Sequence, residues 1–293
     1  MGKIFKMILL PLILVSILSL PITTGCNGGG GDFAEGELEQ ILADSVNIVN
    51  TADSYNIFMD FDVSMDMEGG GEEGSMDMGI IMDGAYDQKD MDMYLTMDMS
   101  MSMDLGYDKG SEEMTMEMYL VDDYLYMYME GEWMKMPATE EALAMYDINL
   151  FEEQMAPLES SGELKFLKYE TIDGAECYVI ELIPDIAAIM DLLGEQGLGE
   201  LGLSLDDIGV VRDMLDKLSY ICWIEKDTGY MKKVKTQLRM KITGDAFRDI
   251  AGVSGELIMD MTAMIEISGY NEPVNINLPA EAENAMEMND FMY

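Results

Sequence analysis

Methionine or aliphatic residues alternate with acidic or small polar residues along residues 76–129, most clearly between Met91 and Leu105. Successive side chains of a β-strand point to opposite faces, so the methionines share one face and the aspartates and serines share the other. An α-helix cannot separate this pattern, because its period is 3.6 residues. At about 3.3 Å per residue, residues 91–105 span roughly 50 Å, which exceeds an ordinary strand. The pattern predicts a long, curved strand in a large antiparallel sheet.

Other parts of the chain carry helical or strand periodicity. Leu38, Ile41, Leu42, Val46 and Val49 recur at helical spacing and predict an amphipathic helix over residues 37–52. Alternating apolar residues predict further strands over residues 55–67, 75–86, 113–121, 124–129, 163–171, 176–183, 219–226, 231–243 and 255–268. Short turns rich in Gly or Asp separate most of these strands, so successive strands are expected to pair antiparallel.

These elements predict a single α+β domain over residues 37–280. A further helix is expected to begin at Thr139 and to end near residue 155. Residues 185–218 read as an apolar helical insertion. Residues 281–293 show no stable pattern and are expected to form a flexible tail.

The N-terminus has the features of an export signal. Lys3 and Lys6 precede an apolar run over residues 7–20, which predicts a signal peptide over residues 1–25. Gly25-Cys26 resembles a bacterial lipobox, although Thr23 stands where leucine is usual, and predicts lipidation of Cys26. Residues 26–36 then form a Gly-rich tether. The alternatives are ordinary cleavage near Gly25 and an uncleaved anchor. The expected location is the extracytoplasmic face of the cell membrane, reached by export and held by the lipid anchor.

The charge of the chain narrows its partners. Asp and Glu number 58 against 16 Lys and Arg, which gives a formal net charge of −42. Nucleic acids and anionic lipid headgroups are therefore excluded as direct partners, because phosphate binding needs basic patches. The acids fall where strand parity points them away from the methionines, as expected for a solvated sheet face. A cationic protein is the kind of protein partner that this charge fits.

Catalytic chemistry has little support in the sequence. The chain contains no histidine, which removes Ser-His-Asp and Cys-His arrangements and histidine metal ligation. No glycine motif has the context of a phosphate-binding loop, and we expect neither enzymatic activity nor a cofactor. Cys177 and Cys222 fall in predicted strands, where a disulfide and two buried free thiols are both compatible with the sequence.

Methionine and aspartate side chains could bind Cu(I) and calcium, respectively. Thioethers are soft ligands that suit Cu(I), and methionine recurs at every second residue. However, the methionines share the strand phase of Leu95, Ile80 and Val63, and apolar burial explains every position without a metal. The aspartates of the polar face do not form a calcium-binding loop pattern.

The order of elements resembles the LolA-like lipoprotein carriers, in particular their LppX-LprG-type branch. The resemblance covers about residues 37–279 and rests on three segments: the helix end at Ala52-Asp-Ser-Tyr55, Tyr124-Leu-Tyr-Met-Tyr128 with Trp133, and the Trp223–Tyr230 hairpin. It implies a strongly curved antiparallel half-barrel whose concave face is lined by apolar side chains and covered by helices. A cavity for acyl chains or another lipid lies between the two in this family.

The leading hypothesis is a noncatalytic lipoprotein, anchored to the membrane through its N-terminal lipid, that binds a lipid or other hydrophobic ligand for envelope transport or sensing. Ten residues are the candidates for lining the ligand site: Met59, Phe61, Met65, Met78, Met82, Met93, Met97, Met101, Met116 and Met118. One alternative is a structural or interaction lipoprotein with a fully packed core. Another is a methionine-based Cu(I)-binding protein.

Overall fold

The computed structural model describes residues 33–34, 36–70, 72–89, 91–104, 106, 109–139, 162–184, 214–244 and 254–287. Within these ranges the chain forms one α-helix, α1 (Glu37–Asn50), a short 3₁₀ helix (Ala280–Asn284) and twelve strands. The strands are β1 (Ser54–Gly69), β2 (Glu72–Asp87), β3 (Asp92–Asp104), β4 (Lys109–Val121), β5 (Tyr124–Met129), β6 (Glu132–Pro137), β7 (Gly162–Ile172), β8 (Ala175–Pro184), β9 (Leu215–Glu225), β10 (Met231–Thr243), β11 (Gly255–Ser268) and β12 (Met286–Glu287).

All twelve strands belong to one sheet, in the order β12-β6-β5-β4-β3-β2-β1-β11-β10-β9-β8-β7. Each neighbouring pair is antiparallel except β12 and β6, which are parallel. Two meanders, β1–β6 and β7–β11, are joined where β1 pairs with β11. The outermost strands, β12 and β7, do not pair with each other, so the sheet formed by the described residues is open. The prediction of a large antiparallel sheet is confirmed.

The strand register gives the sheet one apolar face and one polar face. Met59 on β1 lies opposite Met82 on β2 and Ile265 on β11, and the same parity continues to β5 and β8. The apolar face carries the odd-numbered residues of β1, β3, β5 and β11 and the even-numbered residues of β2, β4, β6, β8 and β9, with those of β10 from Val234 onward. The remaining residues of these strands point to the opposite face, which we call the polar face, although on β8 it includes the buried Cys177 and Val179.

Helix α1 covers one part of the apolar face. Leu38, Leu42, Val46 and Val49 are buried in a cluster that includes Ile180 and other residues of β8–β11. Burying each such side chain contributes about 1.5–3 kcal/mol. A second buried cluster contains residues of β1, β2, β10 and β11, and a third joins β4 to β5. The helix is the cover that the described residues show, and it leaves β3 and β4 outside its reach.

The end of the predicted insertion is a strand, not a helix. Leu215 and Leu218 are three residues apart, as on one face of a helix, but both belong to β9. A bulge explains the spacing, because Leu215 lies opposite Met240 while Lys217 lies opposite Arg239, so one extra residue is inserted between them. The bulge turns both leucines toward the apolar face. Residues 185–213 and the predicted helix after Thr139 lie outside the described residues, as do the signal peptide, Cys26 and most of the tether.

The first part of the expected tail is placed against the sheet. Ala282 of the 3₁₀ helix is buried, and Met286–Glu287 pairs with Met134 and Lys135 of β6. Glu287 also forms an ion pair with Lys135 at 3.3 Å. Two residues of strand are too short to show a periodicity, so this pairing is invisible in the sequence. Residues 288–293 lie outside the described residues.

Candidate functional site

The structure places all ten predicted lining residues on the apolar face. Met59, Met82, Met97 and Met116 lie opposite one another across β1–β4 and form a continuous cross-strand row. The other six residues have the same parity on their strands: Phe61, Met65, Met78, Met93, Met101 and Met118. The two-residue period was therefore sufficient to bring these residues together on one surface.

Exposure divides the ten residues into two groups. Half of them are already buried within the protein, namely Met59, Phe61, Met65, Met78 and Met118. The other half keep part of their surface accessible, namely Met82, Met93, Met97, Met101 and Met116. Met99 and Met103 share this partial exposure, and Met114 is 46% exposed. We call Met97, Met99, Met101, Met103, Met114 and Met116 the methionine patch.

The patch lies on a part of the apolar face that α1 does not cover. β5 contains six residues and pairs with residues 116–121 of β4, so residues 109–115 of β4 have β3 as their one strand neighbour in the described sheet. The apolar side chains of β3 and of this part of β4 therefore lie at an open margin. Sequence parity identified the face, but the position of α1 on that face decides which part of it the helix covers.

Two hollows among the described residues are lined mainly by residues of the polar face. The larger, of about 530 Å³, has small residues such as Gly79 and Ser100 at its centre and carboxylates such as Asp62, Asp77 and Glu113 around them. A second hollow of about 390 Å³ lies among polar-face residues of β1, β9 and β11 and their neighbours. Met101 of the methionine patch borders the larger hollow, and the other five patch residues line neither of the two.

Charge is distributed unevenly over the polar face. Lys233, Arg239 and Lys241 of β10 form ion pairs with Glu266, Asp260 and Glu256 of β11 at 2.8, 3.3 and 3.0 Å. Asp62 and Asp77 on β1 and β2 have no ion pair within the part of the chain that the structure describes. The polar face is thus neutralised on β10–β11 and acidic on β1–β4.

The described residues show neither a metal-binding cluster nor a membrane-spanning helix. No group of three or more Asp, Glu or Cys side chains is arranged to hold a metal ion there. The same residues contain no helix that is both long enough and apolar enough to span a bilayer.

The two cysteines cannot form the disulfide that the sequence allowed. Cys177 lies opposite Glu225, whereas Cys222 lies opposite Ile180, so the two side chains point to opposite faces of adjacent strands. Both are buried free thiols. Burial raises the pKa of the Cys222 thiol to about 12 and also raises the pKa of Cys177. The reactive thiolate form is therefore disfavoured at both positions.

A family model matches most of the chain. A sequence profile described as a family of unknown function, DUF6612, matches residues 37–287. The chain belongs to this family. No curated protein matches it.

Several solved structures are similar to this DUF6612 chain. The lipoprotein LppX of Mycobacterium tuberculosis is 14% identical, with a TM-score of 0.38 over 82% of this chain and 99% of LppX. LprF of Mycobacterium bovis is 15% identical, with a TM-score of 0.41 and coverage of 84% and 98%. A LolA superfamily protein from Nitrosomonas europaea is 11% identical, with a TM-score of 0.23 and coverage of 82% and 94%. LppX and a LolA superfamily protein are thus among the solved structures that the chain matches.

Proposed function

We propose that this protein is a noncatalytic, membrane-anchored lipoprotein that binds a lipid or other hydrophobic ligand on the apolar face of its sheet, for transport or sensing at the cell envelope. The observation that carries the proposal is the methionine patch, an accessible apolar surface continuous with the buried core. Contiguous apolar surface that faces water marks a binding site for an apolar partner. Methionine side chains are flexible and polarizable, which suits a ligand of variable shape.

The ten lining candidates have two roles in this proposal. The accessible residues contact the ligand directly, and these are Met82, Met93, Met97, Met101 and Met116. The buried residues form the packed floor beneath it, and these are Met59, Phe61, Met65, Met78 and Met118. In this proposal the sheet forms the half-barrel that the resemblance implies, with its apolar face on the concave side.

The proposed location follows from the N-terminal sequence. Export by the signal peptide and lipidation of Cys26 would hold the domain at the extracytoplasmic face of the cell membrane, with the Gly-rich segment as tether. A net charge of −42 gives the domain no electrostatic attraction to anionic lipids, so a covalent anchor supplies the attachment.

Methionine oxidation footprinting tests the ligand site. The purified chain is treated with hydrogen peroxide with and without monooleoylglycerol, and sulfoxide formation is followed at each methionine by peptide mass spectrometry. We expect the lipid to slow oxidation of Met97 and Met101 severalfold. Met264 is the matched control, because it is partly exposed on the polar face and should oxidise at an unchanged rate. Unchanged rates at Met97 and Met101 would contradict the proposal and favour the packed-core alternative.

A second candidate function rests on the acidic part of the polar face. The 530 Å³ hollow bordered by Asp62, Asp77 and Glu113 fits a cationic protein segment, as expected for an interaction lipoprotein. Binding of an oligolysine peptide should weaken with salt and with the paired changes Asp62→Asn and Asp77→Asn. The copper alternative is distinguished by Cu(I) titration, since it requires stoichiometric uptake that is lost when Met97, Met99 and Met101 become leucine.

A further inference from the structure

Four aromatic rings form a cluster at the β7 edge of the sheet, and none of them lines either hollow. Phe33, which precedes α1, packs against Phe166 of β7 and Tyr178 of β8, with ring centres 4.9 and 5.8 Å apart. Tyr169 of β7 completes the aromatic cluster, 4.9 Å from Phe166 and 5.7 Å from Tyr178. Tyr169 is 49% exposed, and the adjoining Leu167 is 46% exposed. This edge therefore presents apolar surface to water.

The aromatic cluster contains the first described residue of the chain and so lies at the end of the tether. Phe33 is seven residues after Cys26. A fully extended segment of this length spans about 25 Å, and a flexible Gly-rich one has a root-mean-square length of about 15 Å. An acyl group on Cys26, as proposed above, would therefore hold the aromatic cluster within about 25 Å of the bilayer.

The β7 edge is protected from pairing with a strand of another molecule. β7 is the outermost strand of the described sheet, and an unprotected outer strand invites such pairing. Here a bulge interrupts the register between Phe166 and Lys168, and Lys165 and Lys168 stand on either side of Leu167. Bulges and lysines on an outer strand oppose edge-to-edge pairing. The exposed Leu167 and Tyr169 therefore suit a partner that is not a strand.

The charged side chains around the aromatic cluster are balanced. Three lysines border it, and each forms an ion pair with a glutamate: Lys165 with Glu163, Lys168 with Glu170, and Lys226 with Glu176. The ammonium nitrogen of Lys226 also lies 4.6 Å from the centre of the Tyr169 ring. These pairs add no net charge to the edge, although the chain as a whole carries −42. A surface of zwitterionic headgroups can therefore approach them without meeting an unpaired charge.

We propose that the aromatic cluster and Leu167 are the surface through which the anchored domain docks on a zwitterionic lipid bilayer. Tyrosine suits the boundary between membrane and water, because its ring is apolar and its hydroxyl is polar. Lysine suits it as well, since the apolar stem can lie on the bilayer surface while the ammonium group stays in water. This inference rests on the proposed membrane anchor and names the side of the domain that faces the membrane.

The docking surface and the methionine patch are separate on the sheet. Six strand spacings of about 4.8 Å lie between β8 and β3, which is about 29 Å along the sheet. The tether therefore restrains the β7 edge more closely than it restrains the patch. Docking at this edge leaves the patch free to bind its ligand while the domain rests on the membrane.

Tryptophan quenching by brominated lipid tests the contact. The acylated chain is reconstituted in phosphatidylcholine vesicles, with or without bromine on the lipid acyl chains, as Tyr169→Trp or as Tyr124→Trp. Tyr124 on β5 is the matched control, because it is 37% exposed and also has a lysine, Lys135, 5.7 Å from its ring centre. The wild type supplies the signal of Trp133 and Trp223 for subtraction. We expect bromine to quench Tyr169→Trp severalfold more strongly than Tyr124→Trp.

A second substitution tests whether the exposed leucine contributes to docking. Leu167→Ser, added to Tyr169→Trp, should reduce the quenching by bromine, because it removes apolar surface from the docking edge. Ile81→Ser is its control, since Ile81 on β2 is 48% exposed and lies away from that edge. This change should leave the quenching of Tyr169→Trp as it was.

The outcomes separate docking from the anchor. Equal quenching of Tyr169→Trp and Tyr124→Trp, in chains that float with the vesicles, would overturn the docking surface and leave the anchor standing. An amine cross-link between Lys168 of two copies, without quenching of Tyr169→Trp, would identify a second copy as the occupant and also overturn it. Chains that do not float with the vesicles would refute the anchor and the docking together, while ligand binding is judged separately by methionine footprinting.

Discussion

Replacing Met261 by alanine tests the assignment of the two sheet faces. Met261 on β11 is buried between Val63 and Leu238 on the apolar face. Met264 is three residues away on the same strand, has the opposite parity, and lies between Asp60 and Lys235. The two substitutions remove the same atoms from one strand and differ in the face from which they are removed.

The expected magnitudes differ severalfold. Truncating a buried methionine to alanine costs about 2–5 kcal/mol, because transfer free energy is lost and a cavity is left, and we expect about 3 kcal/mol for Met261→Ala. Met264→Ala removes a partly exposed side chain from the polar face and should cost less than about 1 kcal/mol.

Urea unfolding measures the difference. Fluorescence of Trp133 and Trp223 reports on both meanders of the sheet, and a lower midpoint at an unchanged slope indicates a loss of stability. The face assignment would be refuted if the two variants lost equal stability, or if Met261→Ala lost less than about 1 kcal/mol.

Three further results are expected. Gly84→Ala should lower the melting temperature, because an added Cβ would lie 2.6 Å from the carbonyl oxygen of Tyr94, whereas Gly110→Ala should be nearly neutral, because nothing lies within 4 Å. Burial raises the pKa of the Cys222 thiol to about 12, so the folded state holds the thiol proton more tightly than the unfolded state does. The free energy of unfolding should therefore fall as pH rises above about 9. Cys222→Ala should make this fall shallower by up to about 1.4 kcal/mol per pH unit. Asp62→Asn should raise the melting temperature at low salt, with the gain shrinking as salt is added, because Asp62 lies in an acidic surface without an ion pair.

Strand parity was the part of the structure that the sequence could predict well. Apolar and polar residues alternate so regularly that a one-residue slip would expose the whole methionine face, and this fixes both the register and the face. β5 and β11 begin and end at the predicted residues. The ten lining candidates share one surface for the same reason.

Features that depend on pairing between distant segments could not be predicted in the same way. The bulge between Leu215 and Lys217 gave strand residues a helical spacing. Whether Cys177 and Cys222 face each other depends on the register of β8 against β9, which neither strand reveals alone. The accessible part of the apolar face depends on where α1 packs on the sheet, which the helical period of the α1 residues alone does not reveal.

The methionine patch and the acidic surface occupy opposite faces of the same strands, and their consequences are linked. An accessible apolar patch favours association between copies of the chain, as well as binding of a ligand. The carboxylates of Asp62 and Asp77, with a net charge of −42 on each chain, oppose close approach of two copies. This repulsion does not act on an uncharged lipid. The charge distribution therefore favours occupation of the patch by an uncharged lipid over self-association.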